Sequence, residues 1–190
     1  MKKFFSICFV FIFCVCTLVA KNTEKSKKDL GLEVGINLMN QYAIGDFSEY
    51  AIATFGGEVF VNYVLPSKIV KIENLGVNAN FAIANVFPNG TYVEKFSQNY
   101  FSFGVFYLFN FPFNFQFKPQ VNFGMMTHYF SGGYSMKANY SDFMIMASCD
   151  VRYVFDFNLI VNVSPVYTFI PVKDGVINYL GFKIGASYRF

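Results

Sequence analysis

The chain alternates between apolar and polar side chains with a period of two from Leu32 to its last residue. This period is typical of β-strands whose two faces meet different media. The last segment is the most regular: Leu180, Phe182, Ile184, Ala186, Tyr188 and Phe190 alternate with Tyr179, Gly181, Lys183, Gly185, Ser187 and Arg189. Eight such segments predict eight strands, at about residues 32–39, 57–65, 75–84, 101–109, 115–126, 142–155, 158–169 and 179–190.

The two phases of this alternation differ in bulk. Phe, Tyr, Val and Ile crowd the apolar phase, whereas Gly, Asn, Ser and Ala dominate the other. An eight-stranded barrel has room inside only for modest side chains. The bulky phase therefore faces outward, and only lipid tolerates so much exposed apolar surface. The predicted fold class is all-β: an eight-stranded antiparallel up-and-down transmembrane β-barrel, preceded by a signal peptide.

The charged residues of the strands fall on the inward phase. A charge that faces lipid at mid-depth costs about 2–4 kcal/mol, whereas charges of mixed sign inside a barrel can neutralise one another. In a barrel this narrow they favour a solid plug over a selectivity lining. The predicted lumen polar cluster comprises Glu33, Lys118, Asp150, Arg152, Lys183 and Arg189.

Closure of the barrel predicts which of these charges meet. The first strand lies beside the last, which brings Glu33 near Arg189. A turn near residue 135 places Lys118 opposite Asp150 or Arg152. We expect these pairings to hold within about two residues of register.

The connectors are predicted to alternate in length, as in outer-membrane barrels. Tight turns are predicted at 110–114 and 156–157, and longer loops at 44–56, 87–97 and 131–141. The segment 171–177 is shorter, and 66–73 is long for a periplasmic turn. Pro119 and Pro165 must each lie at a bulge or near a rim, since a closed barrel has no edge strand to hold them.

Aromatic residues crowd both ends of the predicted strands. Such clusters are typical of the two aromatic girdles of a membrane barrel. The turn side carries Phe109, Phe111, Phe113, Phe115, Phe155, Phe157, Tyr188 and Phe190. The loop side carries Tyr42, Tyr100, Tyr129, Phe130, Phe169 and Tyr179.

The composition excludes several classes of protein. With 54% hydrophobic and 14% charged residues the chain is not disordered, and an ordinary soluble enzyme carries about 25% charge. After residue 20 no apolar run approaches the roughly 20 residues of a membrane-spanning helix.

The N-terminus is predicted to be removed. Lys2 and Lys3 precede an apolar run that ends at Ala20, so 1–20 is interpreted as a signal peptide cleaved after Ala20. Polar residues 21–30 form a flexible leader, and 31–190 form the barrel. Cleavage lowers the formal net charge from +3 to +1, which is too little positive charge to predict nucleic-acid binding. It leaves Cys149 as the only cysteine, so no internal disulfide forms.

The C-terminus carries the most specific motif. Its last seven residues, Ile184-Gly185-Ala186-Ser187-Tyr188-Arg189-Phe190, resemble the terminal signal that the barrel assembly machinery reads, with Gly185, Tyr188 and Phe190 as its elements. Residues 31–190 resemble the small eight-stranded bacterial outer-membrane proteins of the OmpX, OmpW and OmpA-barrel families. The resemblance implies an integral outer-membrane location, with outer-membrane lipid and the assembly machinery as partners, and external ligands at the loops.

The sequence contains few candidate catalytic or metal-binding residues. His128, the single histidine, falls on the inward phase near Ser131 and Asp142, and a lumen histidine is favoured over a catalytic one. One histidine and one mature cysteine cannot build a metal site. We expect no enzyme activity, no cofactor and no metal.

The predicted function is structural and surface-interactive: membrane integrity and loop-mediated contacts. The alternative, implied by the likeness to OmpW, is passage of small hydrophobic compounds, and a lipid-modifying enzyme ranks third. Passage requires an apolar inner pocket, for which the inward candidates are Phe106, Leu108, Ile160, Val166 and Ile170.

Overall fold

The computed structural model describes residues 31–89, 95–132, 136–173 and 175–190. The predicted signal peptide 1–20 and leader 21–30 lie outside these ranges. Almost every described residue belongs to a strand, because the period-two alternation runs almost without interruption. Within the described part of the chain, no helix is long and apolar enough to cross a membrane.

Eight long antiparallel strands form one closed barrel. Each strand pairs with the next in the chain, and β1 pairs with β8 to close the sheet. This up-and-down topology confirms the predicted fold class. The strands are β1 Leu32–Ile44, β2 Ala51–Val64, β3 Leu75–Pro88, β4 Lys95–Tyr107, β5 Phe115–Gly132, β6 Met136–Val154, β7 Leu159–Val172 and β8 Gly175–Arg189, with a two-residue strand, Phe109–Asn110, that extends β4 along β5.

The bulky apolar phase faces outward, as its size predicted. Phe101, Phe103 and Phe123 are exposed on the outer wall, whereas Ser102 and Asn122 of the same strands are buried inside. Such an exterior is stable only against lipid. The prediction of a membrane barrel with small polar residues inside is therefore confirmed.

The predicted alternation of short turns and long loops is wrong. At the end that holds neither terminus, here called the loop end, the described connector is a 3-10 helix at Gly45–Glu49 with Tyr50, whereas the centres of the predicted loops 87–97 and 131–141, and residue 174, lie outside the described residues. The longest connector, 65–74, lies at the opposite, terminal end. Residues 51–56 and 136–141, which were assigned to loops, continue the strands and pair in the backbone ladders of β2 with β3 and of β5 with β6.

Both strand prolines lie where a ladder is interrupted. Pro119 lies between the end of the β4–β5 ladder at Gln120 and the short strand that pairs from Phe117. Pro165 lies where the β6–β7 ladder breaks, between the pairs of Val166 and Val163. Proline has no backbone N–H to donate to a neighbouring strand. Each of these prolines faces a gap in the ladder where no donor is required, so a closed barrel can hold both.

Candidate functional site: the filled lumen

The ion pairs lie in the middle and terminal half of the lumen, and most of its buried apolar side chains form a cluster toward the loop end. All six charges predicted for the lumen face inward. Five of them are buried, and only Arg189, at the rim, is partly exposed. These positions follow from the strand alternation, but the partners of the charges depend on the shape of the barrel.

The first ionic group surrounds Glu33 at the terminal end. Its carboxylate pairs with Arg152 of β6, which reaches across the lumen, and lies 3.8 Å from Arg189 of β8. Asn62 and Ser187 each donate a hydrogen bond to the other carboxylate oxygen, at 3.0 and 2.8 Å. The predicted register of Glu33 and Arg189 is found, but Arg152 is the closer partner.

The second ionic group is the pair of Lys118 and Asp150. Their strands place them directly opposite one another, with Nζ 2.8 Å from Oδ2. The ammonium also lies 5.5 Å from the ring centroid of Phe60 and 5.3 Å from that of Phe106. The rings shield a buried charge and attract it through their π faces. Of the two partners predicted for Lys118, the structure selects Asp150.

The third ionic group is centred on Glu58, which the prediction of lumen charges missed. Its carboxylate accepts a 2.7 Å bond from the Lys183 ammonium and a 2.7 Å bond from the Asn37 amide, and it also accepts the hydroxyl of Tyr100. β2 has the least regular alternation in the chain, so the inward phase of Glu58 was hard to recognise. Because these donors come from β1, β4 and β8, the group ties together opposite walls of the barrel.

An apolar cluster fills the loop-end half of the lumen. Its methionines are almost completely buried, and flexible thioether side chains fit an irregular interior. The Tyr179 hydroxyl, which donates to Gln98 at 3.3 Å, links β8 to β4 within the cluster. The buried members are Met39, Ala43, Ala51, Ala82, Ala84, Val86, Phe96, Tyr100, Met126, Met144, Met146, Val166, Ile170 and Tyr179.

Phe47 of the 3-10 helix covers this cluster at the loop end. Its ring packs edge-on against Tyr179 and Phe96, with centroids 5.8 and 6.5 Å apart. The helix is held by Asn89, which donates from its backbone to Tyr50 and from its side chain to Ser48. No periodic signal in the sequence distinguishes Phe47 from other loop residues, so this plug was not predicted.

The inward apolar candidates for a passage do not form one pocket. All five are buried on the inner face. Val166 and Ile170 belong to the loop-end cluster, whereas Phe106, Leu108 and Ile160 do not. Lys118, beside Phe106, and the charges around Glu58 lie between the two sets.

His128 is buried on the inner wall, as predicted. Its ring lies 5.8 Å from the ring of Phe96, and Asp142 is close enough to act on it electrostatically. In register His128 is opposite Tyr140, two residues from the predicted neighbour. The side chain of Ser131 lies outside the described part of the structure. Within the described ranges, no three His, Cys, Asp or Glu side chains converge in a way that could hold a metal ion.

The three residues of the predicted assembly signal lie along the closing seam. Gly185 packs against Asn37 of β1. Tyr188 faces lipid, and its ring centroid lies 5.0 Å from that of Phe190. The backbone amide of Phe190 donates to the backbone carbonyl of Leu32. Recognition of this strand by the assembly machinery stays a prediction.

Comparison with solved structures identifies the same architecture in outer-membrane proteins. The chain is similar to Neisserial surface protein A, with a TM-score of 0.65 and 11% identity over 84% of this chain and 97% of that one. It is similar to Ail, the attachment invasion locus protein of Yersinia pestis, with a TM-score of 0.58 and 15% identity over 84% and 99%. It is also similar to OprG of Pseudomonas aeruginosa, with a TM-score of 0.57 and 10% identity over 85% and 97%.

At these identities the likeness shows the fold and nothing finer. No protein-family model matches the chain, and no curated protein matches it by sequence. The barrel closure, the lipid-facing exterior and these structures together confirm an integral membrane barrel of the small outer-membrane type.

Proposed function

We propose that this chain, which has the fold of the small outer-membrane barrels, is a closed and non-enzymatic barrel that supports membrane integrity and offers its loop end for external contacts. The observation that carries the proposal is the filled lumen. Its charges neutralise one another in buried pairs, and an apolar cluster under Phe47 occupies the loop-end half.

A filled lumen of this kind disfavours conduction. A hydrated ion would have to separate buried ion pairs, and breaking one such pair costs about 3–5 kcal/mol. It would then have to cross the buried apolar cluster without its water shell. The passage of apolar compounds is disfavoured for the converse reason, since the two apolar sets of the lumen are divided by charges.

The first test is electrical. Protein reconstituted in planar phosphatidylcholine bilayers should show no sustained unitary current, whereas a known porin in the same bilayer conducts. Phe47→Ala should remain silent, because the ionic groups beneath the plug are intact. Discrete currents from folded wild-type protein would overturn the proposal, and uptake of small apolar solutes without ion current would favour passage instead.

The contact role is supported by apolar and aromatic side chains at the loop end. Tyr42, Tyr50, Ile52 and Phe87 are exposed there, beside the 3-10 helix. Among the similar structures, Ail is named for attachment and invasion and has also been solved with the heparin analogue sucrose octasulfate. We propose that this barrel likewise uses its loop end to meet ligands outside the cell.

This role requires that the loop end face outward. In a Cys149→Ala background, which removes the lipid-facing thiol, Tyr50→Cys should react with a membrane-impermeant maleimide on intact cells. Glu73→Cys, on the exposed connector at the terminal end, is the matched control and should react only after lysis. The reverse pattern would exclude external contacts through this end.

A further inference from the structure

The 3-10 helix at the loop end is attached to the barrel by few contacts. Phe47 is the only one of its residues that is partly buried, and the ring of Phe47 rests on Phe96 and Tyr179. Asn89 adds two hydrogen bonds, one from its backbone and one from its side chain. We call the segment 45–50 the lid, because it covers the apolar cluster of the loop-end half.

Both ends of the lid are positions at which the backbone can swing. Gly45 begins the lid with a φ of +71°, a left-handed value that glycine adopts without strain, and open space surrounds the position that a Cβ would take. At the other end, the ladder of β2 with β3 shifts its register between Ala51 and Ala53. A few such positions at the ends of elements absorb the dihedral changes of a hinge. The lid can therefore move as a unit while the strands stay paired.

A layer of buried polar side chains lies below the lid, on the side of the terminal end. Gln41 faces Thr54 across β1 and β2, and Gln98 faces His128 across β4 and β5. None of these four side chains is more than 2% exposed. Within the described residues, Oε1 of Gln41, the Thr54 hydroxyl and Nε2 of Gln98 make no hydrogen bond. Buried polar atoms of this kind are costly, so the layer favours entry of water.

His128 is the only member of this layer that can gain a charge near neutral pH. It is also the only histidine of the chain. An imidazole in water takes up a proton at about pH 6.5, where ordinary carboxylates and amines do not titrate. The ring of His128 lies 5.8 Å from that of Phe96, beneath the lid. A charge buried in such surroundings is unfavourable unless it is paired or solvated.

One carboxylate below the lid acts on His128. Asp142 of β6 lies two residues from its register partner and is close enough to act on the imidazole electrostatically. Asp142 is itself partly exposed, so water screens its charge. The other titratable side chains that the described elements around His128 carry at this level are Tyr140 of β6, Tyr179 of β8, and Asp46 and Glu49 of the lid. The tyrosines are neutral in this range of pH, and both lid carboxylates are exposed.

We infer that the lid is an acid-sensitive cover of the loop-end half of the lumen. At neutral pH His128 is uncharged and the lid is closed. As the pH falls, His128 takes up a proton from water, the polar layer is hydrated, and Phe47 leaves Phe96 and Tyr179. The ion pairs nearer the terminal end stay intact, so the barrel remains sealed to ions while its apolar cluster becomes accessible from the loop end. This device goes beyond the proposed contact role, to which it adds a dependence on pH.

The chain has no tryptophan, so Phe47→Trp places a single fluorescent reporter in the lid. The protein is reconstituted in phosphatidylcholine nanodiscs, in which both ends of the barrel meet solvent. Quenching by acrylamide, which is uncharged, is measured from about pH 7.5 to about pH 5, on either side of the ordinary pKa of histidine. His128→Gln in the same background is the matched variant, since it keeps a polar side chain of similar size without the titrating group.

Phe47→Trp is expected to be quenched about twice as strongly at the acidic end of the range, where histidine is charged. With His128→Gln added, quenching should be equal at both ends. Tyr50→Trp, at a lid position that is 68% exposed, should be quenched strongly throughout. Gel mobility without heating verifies that each variant stays folded over the whole range.

Weak quenching of Phe47→Trp at every pH overturns the inference, since the lid then stays closed. An acidic rise that survives His128→Gln overturns it as well, because the carboxylates of Asp46, Glu49 or Asp142 would then control the lid. Loss of the folded gel mobility in acid also overturns it, since the barrel then unfolds instead of opening its lid. Phe96→Trp, directly beneath the lid, repeats the test if Phe47→Trp is already exposed at neutral pH.

Discussion

Glu58→Gln is expected to lower the free energy of unfolding by about 3–5 kcal/mol, because it leaves a buried ammonium without its counter-charge. The side chains of Lys183 and Glu58 are 1% and 2% exposed, and their charged atoms are 2.7 Å apart. Among the described residues, no other carboxylate pairs with Lys183. Glutamine keeps the shape of the side chain, so the effect isolates the charge.

The loss should be visible in a urea titration in phosphatidylcholine vesicles, with the folded fraction taken from gel mobility without heating. Glu73→Gln removes an exposed carboxylate on the connector 65–74 and should change the midpoint little. The joint replacement of Glu58 by Gln and Lys183 by Met should recover much of the loss, since no buried ammonium remains and glutamine keeps an acceptor for Asn37 or Tyr100. A stable Glu58→Gln variant would mean that water reaches Lys183, and that the lumen is less tightly filled than proposed.

The sequence determined which face each strand residue occupies, but not which residues meet across the lumen. Side-chain bulk was enough to turn the phenylalanines outward, and closure was enough to align Glu33 with Arg189. The contact between Glu33 and Arg152 depends on the tilt and stagger of the strands, which alternation does not encode. For the same reason no pattern pointed to the bond between Glu58 and Tyr100.

The ends of the strands were the least predictable part. Hydrophobic alternation stops where the outer wall leaves the lipid, whereas the hydrogen-bond ladder of β5 and β6 continues to Gly132 and Met136. A strand that meets water on its outer face looks like a loop in the sequence. The plug formed by Phe47 was not predicted for a related reason: it lies in a short 3-10 helix, which has no periodic pattern of apolar residues.

Gly185→Ala is expected to weaken the seam between β8 and β1. A Cβ at Gly185 would collide with the backbone carbonyl of Ile36 and the side-chain amide of Asn37. Asn37 cannot turn aside freely, because it donates to Glu58 at 2.7 Å and accepts from Asn162 at 3.1 Å. The strands must therefore separate, and such overpacking costs about 1–3 kcal/mol.

Gly57→Ala is the matched control for this strain. Gly57 lies on the outer wall of β2, where an added Cβ has only the Asn37 carbonyl within reach, at 3.9 Å. Unfolding in vesicles should therefore show a lower urea midpoint for Gly185→Ala and an unchanged midpoint for Gly57→Ala. Equal midpoints would show that β8 can shift to accept the methyl group.

Refolding from urea into detergent, without any assembly machinery, separates the two roles of Gly185. If the close approach of β8 and β1 is what requires glycine, Gly185→Ala should lose stability in detergent as well as in cells. If the residue matters only as part of the C-terminal signal, the purified variant should be as stable as wild type and fail only in cells. We expect the first result, because Gly185 packs against Asn37 inside the finished barrel and this contact exists whether or not the machinery has acted.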